Sequence, residues 1–391
     1  MRRAALHPIG ARQNPLVRMK VRMGDWMRRI RDAGLALALA LALPALSVAQ
    51  SPAASEATPA VAASPESAPA PVRAPSSAPL ALVLPLDSST YGRAADAVKA
   101  GFTAAADAAT AKYTLIAHRD GDVEAAFDKA KEGGARVIVG PLLRDDLKAI
   151  AGAGGDLPWT IALNQLDDGT ALPERMYTLT LASESEARQL ARRARYDGVR
   201  VVAVVGSDAP FQKRFAAAFV SEWILLGGAP PVTFRFDRAP EMLSLLRREF
   251  GKAAPDAVLL AVEAQDAALA KPYLGQVIAY TSSQVNDRQP REALRDLDDV
   301  RFVEIPWLAD PSAAAFARIA RREYSNAALD RLYALGVDAF RVAQAFADGA
   351  PEKLEFDGAT GHLTLDRSHQ FVREAVLLQF RAGQIVPAEV R

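Results

Sequence analysis

The sequence predicts an α/β protein made of two lobes, each a parallel sheet flanked by helices, with an antiparallel ribbon at the C-terminal end. Three observations carry this prediction. First, six short apolar runs (81–85, 136–139, 160–163, 199–205, 257–262 and 276–280) each end in small or polar residues and lead into a helical stretch. Second, the runs are continuously apolar rather than alternating, which suits parallel strands covered on both faces. Third, the tail from 356 onward changes character: 363–365, 372–380 and 385–386 read as short strands joined by turns at 366–369 and 381–384. In such sheets ligands bind beyond the carboxyl ends of the strands, so the rhythm also predicts where a site lies.

The first 49 residues read as a secretory address. Arg28, Arg29 and Arg31 precede an Ala/Leu run, Pro44 breaks it, and Ser47-Val48-Ala49 supplies the small residues of a cleavage site, predicting cleavage after Ala49. The run of about 16 apolar residues falls short of the ~20 that a membrane span needs. Met19, Met23 and Met27 offer alternative starts that shorten the basic region to an ordinary length. Cleavage leaves 38 Lys+Arg against 44 Asp+Glu, a net charge of −6. That balance argues against a nucleic-acid partner, which calls for a basic patch. The chain has no cysteine. It therefore offers no disulfide, thiol nucleophile, Cys-based metal site or lipidatable cysteine, and no lipid anchor is expected.

Residues 50–79 hold seven prolines among mostly Ala and Ser, and no aromatic residue. Such a segment cannot bury enough apolar surface to fold and reads as a linker, either a tether or an inert spacer. The first lobe then opens with strands at 81–86, 112–118, 136–140, 159–164 and 176–181, with helices at 92–109, 122–133 and 144–152. The helices follow from spacings such as Ala95, Val98, Phe102 and Ala106. Ser183 with Glu186 three residues on predicts a capping box, starting a helix that Gly198 closes. The second lobe repeats the plan with strands at 199–205, 232–236, 257–262 and 276–280 and helices at 211–226, 241–253 and 265–272. A return strand at 298–307 and helices at 312–324 and 329–348 follow. The expected partition is 80–183 with 306–369 for lobe 1, and 184–305 with 370–391 for lobe 2. Several crossings between two lobes describe a cleft with a hinge.

Enzyme signatures are missing. The sequence holds no GxxxxGK[ST], GxSxG, HExxH or SxxK. Its one Gly-rich cluster, Gly152-Ala153-Gly154-Gly155, follows a helix rather than a strand and reads as a helix stop. His118, His362 and His369 lie far apart, which gives no metal-ligand spacing and no cofactor site. The doublets Asp145-Asp146, Asp167-Asp168 and Asp298-Asp299 point to different faces, so they read as caps and solvated turns rather than acid/base pairs.

The strand ends are the better candidates. Ser88, Ser89, Thr90, Asn164, Gln165, Ser207, Asp208, Gln265, Thr281, Ser282 and Gln284 supply donors and acceptors that can meet across a cleft, flanked by Tyr91, Pro141, Leu142 and Phe211. Helix N-termini beside Ser88–Thr90 and Asp208 would add amides for an anion such as a carboxylate. Taken singly, each of these polar residues also reads as an ordinary strand end or cap. Trp307 after Pro306 reads either as a ring that stacks on a ligand or as a packed hinge residue.

Several phrases then appear in order: Ala81-Leu82-Val83-Leu84-Pro85-Leu86, Val139-Gly140-Pro141-Leu142, Ala162-Leu163-Asn164, Tyr280-Thr281-Ser282-Ser283-Gln284-Val285, Val300-Arg301-Phe302 with Pro306-Trp307-Leu308, Arg331-Leu332-Tyr333-Ala334-Leu335-Gly336-Val337-Asp338-Ala339-Phe340 and Phe356-Asp357-Gly358-Ala359-Thr360-Gly361-His362-Leu363. Together they resemble the LppC/LpoA-like penicillin-binding-protein activators, in their domain with the type I periplasmic-binding-protein fold. More widely, they resemble branched-chain amino-acid-binding proteins. The resemblance implies a non-catalytic regulator in the periplasm, with a peptidoglycan synthase as partner. Full-length activators of that kind carry a lipobox cysteine and an N-terminal helical-repeat domain, where this chain has no cysteine and the Pro/Ala linker. The wider resemblance implies an alternative, a receptor for a small amino-acid-like ligand. Ser88-Ser89 would then meet the ligand carboxylate, and Asp208 or Glu263 its ammonium.

Overall fold

The computed structural model describes residues 80–167, 170–287 and 295–388; the expected signal segment and linker lie outside them. The first lobe is a five-stranded parallel sheet of β1 (Leu80–Leu84), β2 (Tyr113–Ala117), β3 (Val137–Val139), β4 (Trp159–Ala162) and β5 (Met176–Thr178), in the order β2-β1-β3-β4-β5. Both β1 and β3 are buried at every residue, as continuous apolar strands in a covered sheet must be. Helices α1 (Gly92–Ala108), α2 (Val123–Glu132) and α3 (Arg144–Ala153) connect the strands. Val83, Ile138 and Met176 from the sheet form one core with Phe127, Leu147 and Ile150 of α2 and α3.

Next come β6 (Val202–Gly206), β7 (Val232–Arg235), β8 (Ala257–Ala261), β9 (Ile278–Thr281) and β10 (Val300–Glu304), with α4 (Ser183–Tyr196), α5 (Pro210–Leu225), α6 (Pro240–Ala253) and α7 (Ala264–Ala270). Pairing is parallel from β7 through β6, β8 and β9 to β10. One face packs on α4 and α5 through Leu190, Phe215, Phe219 and Trp223. The other packs on α6 and α7 through Leu243, Phe250 and Ala267.

The chain then returns to the first lobe by a short helix, Pro306–Ala309, and by α8 (Ala327–Ala345). Helix α8 lies on α1 at backbone contact. A Cβ at Gly101 would run into the Tyr333 carbonyl, and one at Gly336 into the Val98 carbonyl, so both crossing points require glycine. Phe102 meets Phe340 edge to face at 5.3 Å beside them. Strands β11 (Glu355–Asp357), β12 (His362–Leu365) and β13 (Phe371–Glu374) form a small antiparallel sheet, and Leu363 and Phe371 join the first lobe's core. Its lead-in turn is organised by buried Asp338 of α8. That carboxylate accepts from the Ala359 and Thr360 amides (2.8 and 2.7 Å) and from Thr360 Oγ1 (2.7 Å). Two phrases of the sequence, around Asp338 and around Thr360, thus meet in space. Finally β14 (Val376–Arg381) and β15 (Gln384–Pro387) add antiparallel strands beside β10, completing the order β15-β14-β10-β9-β8-β6-β7.

The α/β class and the closing ribbon are as the sequence predicts, and four local expectations are corrected. Residues 312–324 are not a helix. They hold one 3-10 turn, Ala314–Phe316, because Phe316 packs edge-on against Trp307 and Tyr324 against Tyr333, which draws the segment over the core as a loop. The strand expected over 372–380 is two strands. At Ala375 the backbone leaves the ladder and gives its carbonyl and amide to the Gln189 side chain (2.7 and 3.0 Å). Since β13 pairs with β12, the chain passes to the second sheet after Glu374 rather than at residue 370. Ser183 and Glu186 do not form a capping box. Ala182 is the N-cap of α4, and the Glu186 carboxylate is held elsewhere.

Candidate functional site

At the carboxyl ends of the strands, most polar side chains are engaged within the chain. Ser88 is buried, and its Oγ accepts from the amides of Thr90 and Tyr91 (3.3 and 3.0 Å), which organises the turn into α1. Ser89, Thr90 and Tyr91 are exposed beside it. Pro141 and Leu142 are buried, with a cis Gly140–Pro141 peptide. Asn164 stitches β3 to β4: its Nδ2 donates to the Leu142 carbonyl and its Oδ1 accepts from the Gln165 amide, both at 2.9 Å. Thr281 is buried with its hydroxyl on the Leu260 carbonyl (3.0 Å), and Ser282 is buried next to it. Asp208 is exposed and paired with Lys213 (3.0 Å) and Arg235 (2.8 Å). The Lys213 hydrogen bond and the nearby Arg235 charge hold its carboxyl below the ordinary aspartate range. Phe211 is half-buried and stacks toward Phe215.

Trp307 takes the second of its two expected roles. It is 2% exposed, packed among Phe316, Tyr333 and the Arg321 guanidinium, which lies 3.9 Å from its ring centre. A ring so enclosed has no face free for a ligand.

Three hollows collect the remaining candidates. Glu263, Gln265, Gln284 and Asp287 of the second lobe face Ala328 and Arg331 of α8 around about 310 Å³. A neighbouring hollow of about 300 Å³ shares Glu263 and adds Ser207, Phe236, Arg238 and Asp266. The Ser207 hydroxyl there is buried without a hydrogen-bond partner. The third, about 240 Å³, sets Arg144, Gln165 and Asp167 of the first lobe against Glu184, Arg188 and Arg214 on α4 and α5. The fold thus joins Glu263 with Ser207, Gln265 and Gln284, but sends Gln165 to a different cavity. The Ser88–Tyr91 turn lines none of these three.

The crossings between the lobes carry a charged network that sequence reasoning missed. Glu304 ends β10 with its side chain shut off from water, and Arg331 of α8 grips it from the other lobe through Nε (3.0 Å) and Nη2 (2.6 Å). The same Nη2 donates to the Ser283 carbonyl at 2.8 Å, while Asn286 and the Ile305 amide complete the Glu304 carboxylate (2.8 and 2.9 Å). Glu186 accepts from the Ser283 amide and hydroxyl (3.2 and 3.0 Å), with Arg373 of β13 at 3.8 Å. Burial pushes the Glu186 carboxyl above its ordinary value and pulls the Arg373 guanidinium below its own. All three crossings are therefore fastened: α4 by Glu186 and Gln189, β10 by Glu304, and β13–β14 by Arg373 and Ala375. One signal was available in the sequence. Arg301 and Glu304 interrupt the otherwise apolar β10, and a buried charge demands a partner.

The described residues contain no group of three or more His, Cys, Asp or Glu able to hold a metal ion. None of their helices is long and apolar enough to cross a membrane.

Two sheets with helices on both faces, three crossings and strand-end hollows define the class: a type I periplasmic-binding-protein fold. A family model described as "LppC putative lipoprotein" matches residues 73–243 and 244–383. The chain belongs to the LppC family. A curated relative, penicillin-binding protein activator LpoA of Glaesserella parasuis, is 28% identical over 319 residues, covering 79% of this chain and 54% of the relative. The chain thus spans about half the length of the curated relatives it matches. Among solved structures, the C-domain of Haemophilus influenzae LpoA, a regulator of PBP1A, superposes with a TM-score of 0.70 at 24% identity, covering 80% of this chain and all of that domain. A Chromobacterium violaceum protein described as a "putative branched-chain amino acid ABC transporter" superposes at 0.68 with 32% identity, covering 77% of this chain and 99% of its own.

Proposed function

We propose that this chain is a non-catalytic periplasmic regulator that binds and activates a penicillin-binding protein in peptidoglycan synthesis. Family membership and the activator role named for its relatives support this reading. The observation that carries it is the state of the strand ends. Ser88, Asn164, Thr281 and Asp208, which a solute receptor would turn toward its ligand, are engaged by this chain's own backbone and side chains. The hinge beside them is fastened by buried charges, which opposes the lobe closure a solute receptor needs. With those strand ends engaged, the outer surface is available for recognition, which suits a protein partner. Secretion follows the address in residues 1–49, with cleavage after Ala49.

A reconstituted assay tests this directly. The cleaved chain, added to the peptidoglycan synthase of the same organism, is expected to raise cross-linking of lipid-linked precursor, and cross-linking in the periplasm is expected to recover that synthase. Unchanged synthase activity together with no recovered synthase would sink the reading.

One observation favours a second reading. Among the described residues, the side chains of Glu263, Gln265 and Gln284 make no hydrogen bond, and they line a hollow of about 310 Å³ whose polarity suits a small zwitterion. An amino-acid-like ligand there at a hundred times its Kd would add about 2.7 kcal/mol of stability, readily seen as a rise in melting temperature.

A further inference from the structure

His118 and Asp146, far apart in the sequence, form a buried pair in the first lobe that the regulator reading does not use. His118 directly follows β2, and Asp146 lies in the first turn of α3. Their side chains are 1% and 7% exposed, and His118 Nε2 faces Asp146 Oδ2 at 4.0 Å. Neither atom has a hydrogen-bond partner among the described residues. Buried polar groups are ordinarily paired, so two orphaned atoms that face each other call for a physical cause.

The tautomer of His118 supplies one. Its Nδ1 lies 2.9 Å from the Arg119 carbonyl. A carbonyl only accepts, so Nδ1 carries the hydrogen, and in the neutral ring Nε2 keeps a bare lone pair. An ionised Asp146 also presents lone pairs alone. Two acceptors thus face each other away from water, and 4.0 Å, beyond hydrogen-bond range, is their stand-off. One proton at Nε2 reverses this. The imidazolium N–H then points at the carboxylate, and a charge-assisted bond of that kind closes to about 2.8 Å.

Burial and the neighbouring carboxylates favour that proton. Burial raises the Asp146 carboxyl above its ordinary value; the His118 charge acts the other way, while Asp120 after β2 and Asp145 of α3 add to the rise. A carboxyl raised in the folded state takes up a proton on folding, and the stability it lends is lost as pH rises through the raised value. Between two groups this close, the proton belongs to the pair rather than to either residue.

The pair sits where its closure is felt. The His118 amide donates to the Leu84 carbonyl (3.1 Å), and its carbonyl accepts from the Asp87 amide (3.2 Å), so His118 anchors the turn that leads from β1 to Ser88. Asp146 is two residues beyond Arg144, which meets Asp167 at 3.4 Å on the wall of the cavity between the lobes. Drawing α3 toward β2 therefore moves two strand ends of the first lobe and one wall of that cavity.

We infer that His118 and Asp146 form a proton-operated clasp. Uptake of one proton from solvent at His118 Nε2 draws the start of α3 onto the end of β2, and its return to solvent lets the two stand apart. The clasp goes beyond the regulator reading and does not depend on which partner the chain binds.

The test is nuclear magnetic resonance of the cleaved chain across the imidazole range of pH, comparing wild type with His118→Gln and Asp146→Asn. In wild type, His118 Nε2 is expected to gain its proton as pH falls while Nδ1 keeps its own. Amide protection at Asp87 and over 147–150, corrected for the intrinsic exchange rate, is expected to rise about tenfold across the same range. His118→Gln is expected to abolish that dependence. In Asp146→Asn the side-chain amide donates to the bare Nε2 without any proton, so protection is expected to stay high at every pH. Three results overturn the clasp. In the first, Nε2 gains its proton while protection at these amides stays constant. In the second, the ring never changes its protonation, as when a water donates to both atoms. In the third, Asp146→Asn keeps the wild-type pH dependence, which places the sensor elsewhere. The two wild-type measurements decide the matter even if a variant does not fold, and no outcome bears on binding of the synthase.

Discussion

Two ion pairs join the same residue types, an arginine and a glutamate, in different surroundings. Arg331 and Glu304 meet at 2.6 Å across the hinge, their side chains 11% and 0% exposed. Arg214 and Glu184 meet at 3.2 Å on the wall of the outer cavity, with side chains 51% and 15% exposed. The chemistry is the same, but the hinge pair has surrendered its water and must satisfy every donor from protein. It does so with Ser283, Asn286 and the Ile305 amide. A pair of that kind contributes little net stability but penalises any geometry that separates its members. The hinge pair therefore fixes how the lobes meet, while the outer pair decorates a surface.

Removing one member separates the two cases most sharply. Glu304→Ala leaves Arg331 buried without its anion and is expected to cost about 3–5 kcal/mol, measured by urea denaturation. Arg214→Ala, at an exposed pair, is expected to fall within about 1 kcal/mol of wild type. Equal effects would show that the hinge is no more demanding than the surface. Next in size is the contact of α1 with α8, which holds the first lobe together by shape alone. Gly336→Ala places a methyl against the Val98 carbonyl and is expected to cost about 1–3 kcal/mol through forced separation of the helices. A melting temperature equal to wild type would refute the close approach. Smaller again is Gln189→Ala, which frees the amide and carbonyl of Ala375. At about 1–2 kcal/mol for neutral hydrogen bonds, it should also raise amide exchange at 374–376 well before global unfolding.

These elements differ in how far they could be read from sequence. Strands β1, β3, β6 and β8 were legible because their burial on both faces writes an unbroken apolar run, and the helices between them keep their 3.6-residue spacing. Residues 312–324 have that spacing too, yet form a loop. Their apolar side chains answer to Trp307 and Tyr333, residues the local pattern cannot see. For the strand-end candidates, whether a side chain such as Asn164 turns outward or onto the Leu142 carbonyl is decided by a neighbour 22 residues away. The hinge was harder still. Glu186, Glu304, Arg331 and Arg373 come from four separate stretches, and charged residues near element ends ordinarily read as solvated.

The smallest expected effect lies in the three-stranded sheet, and it depends on pH. His362 of β12 stands in the open between Asp357 (2.8 Å) and Glu355 (3.1 Å), both on the facing strand β11. Its hydrogen bonds to Asp357 and then Glu355 raise the imidazole above its ordinary value of 6.5. A group whose value is raised in the folded state lends its stability while protonated in both states. The contribution is therefore complete below the ordinary value and lost as pH rises through the raised one. Wild type is accordingly expected to lose a small increment of melting temperature as pH rises above the ordinary imidazole value of about 6.5 that His362→Gln does not lose, with the two converging at the alkaline end. Screening by salt should shrink that increment, since the site is exposed. The Glu304–Arg331 pair, whose carboxylate is shut off from water, should show much less salt dependence. A pH-dependent increment that survives 0.5 M salt would place the His362 pair with the hinge rather than with the surface.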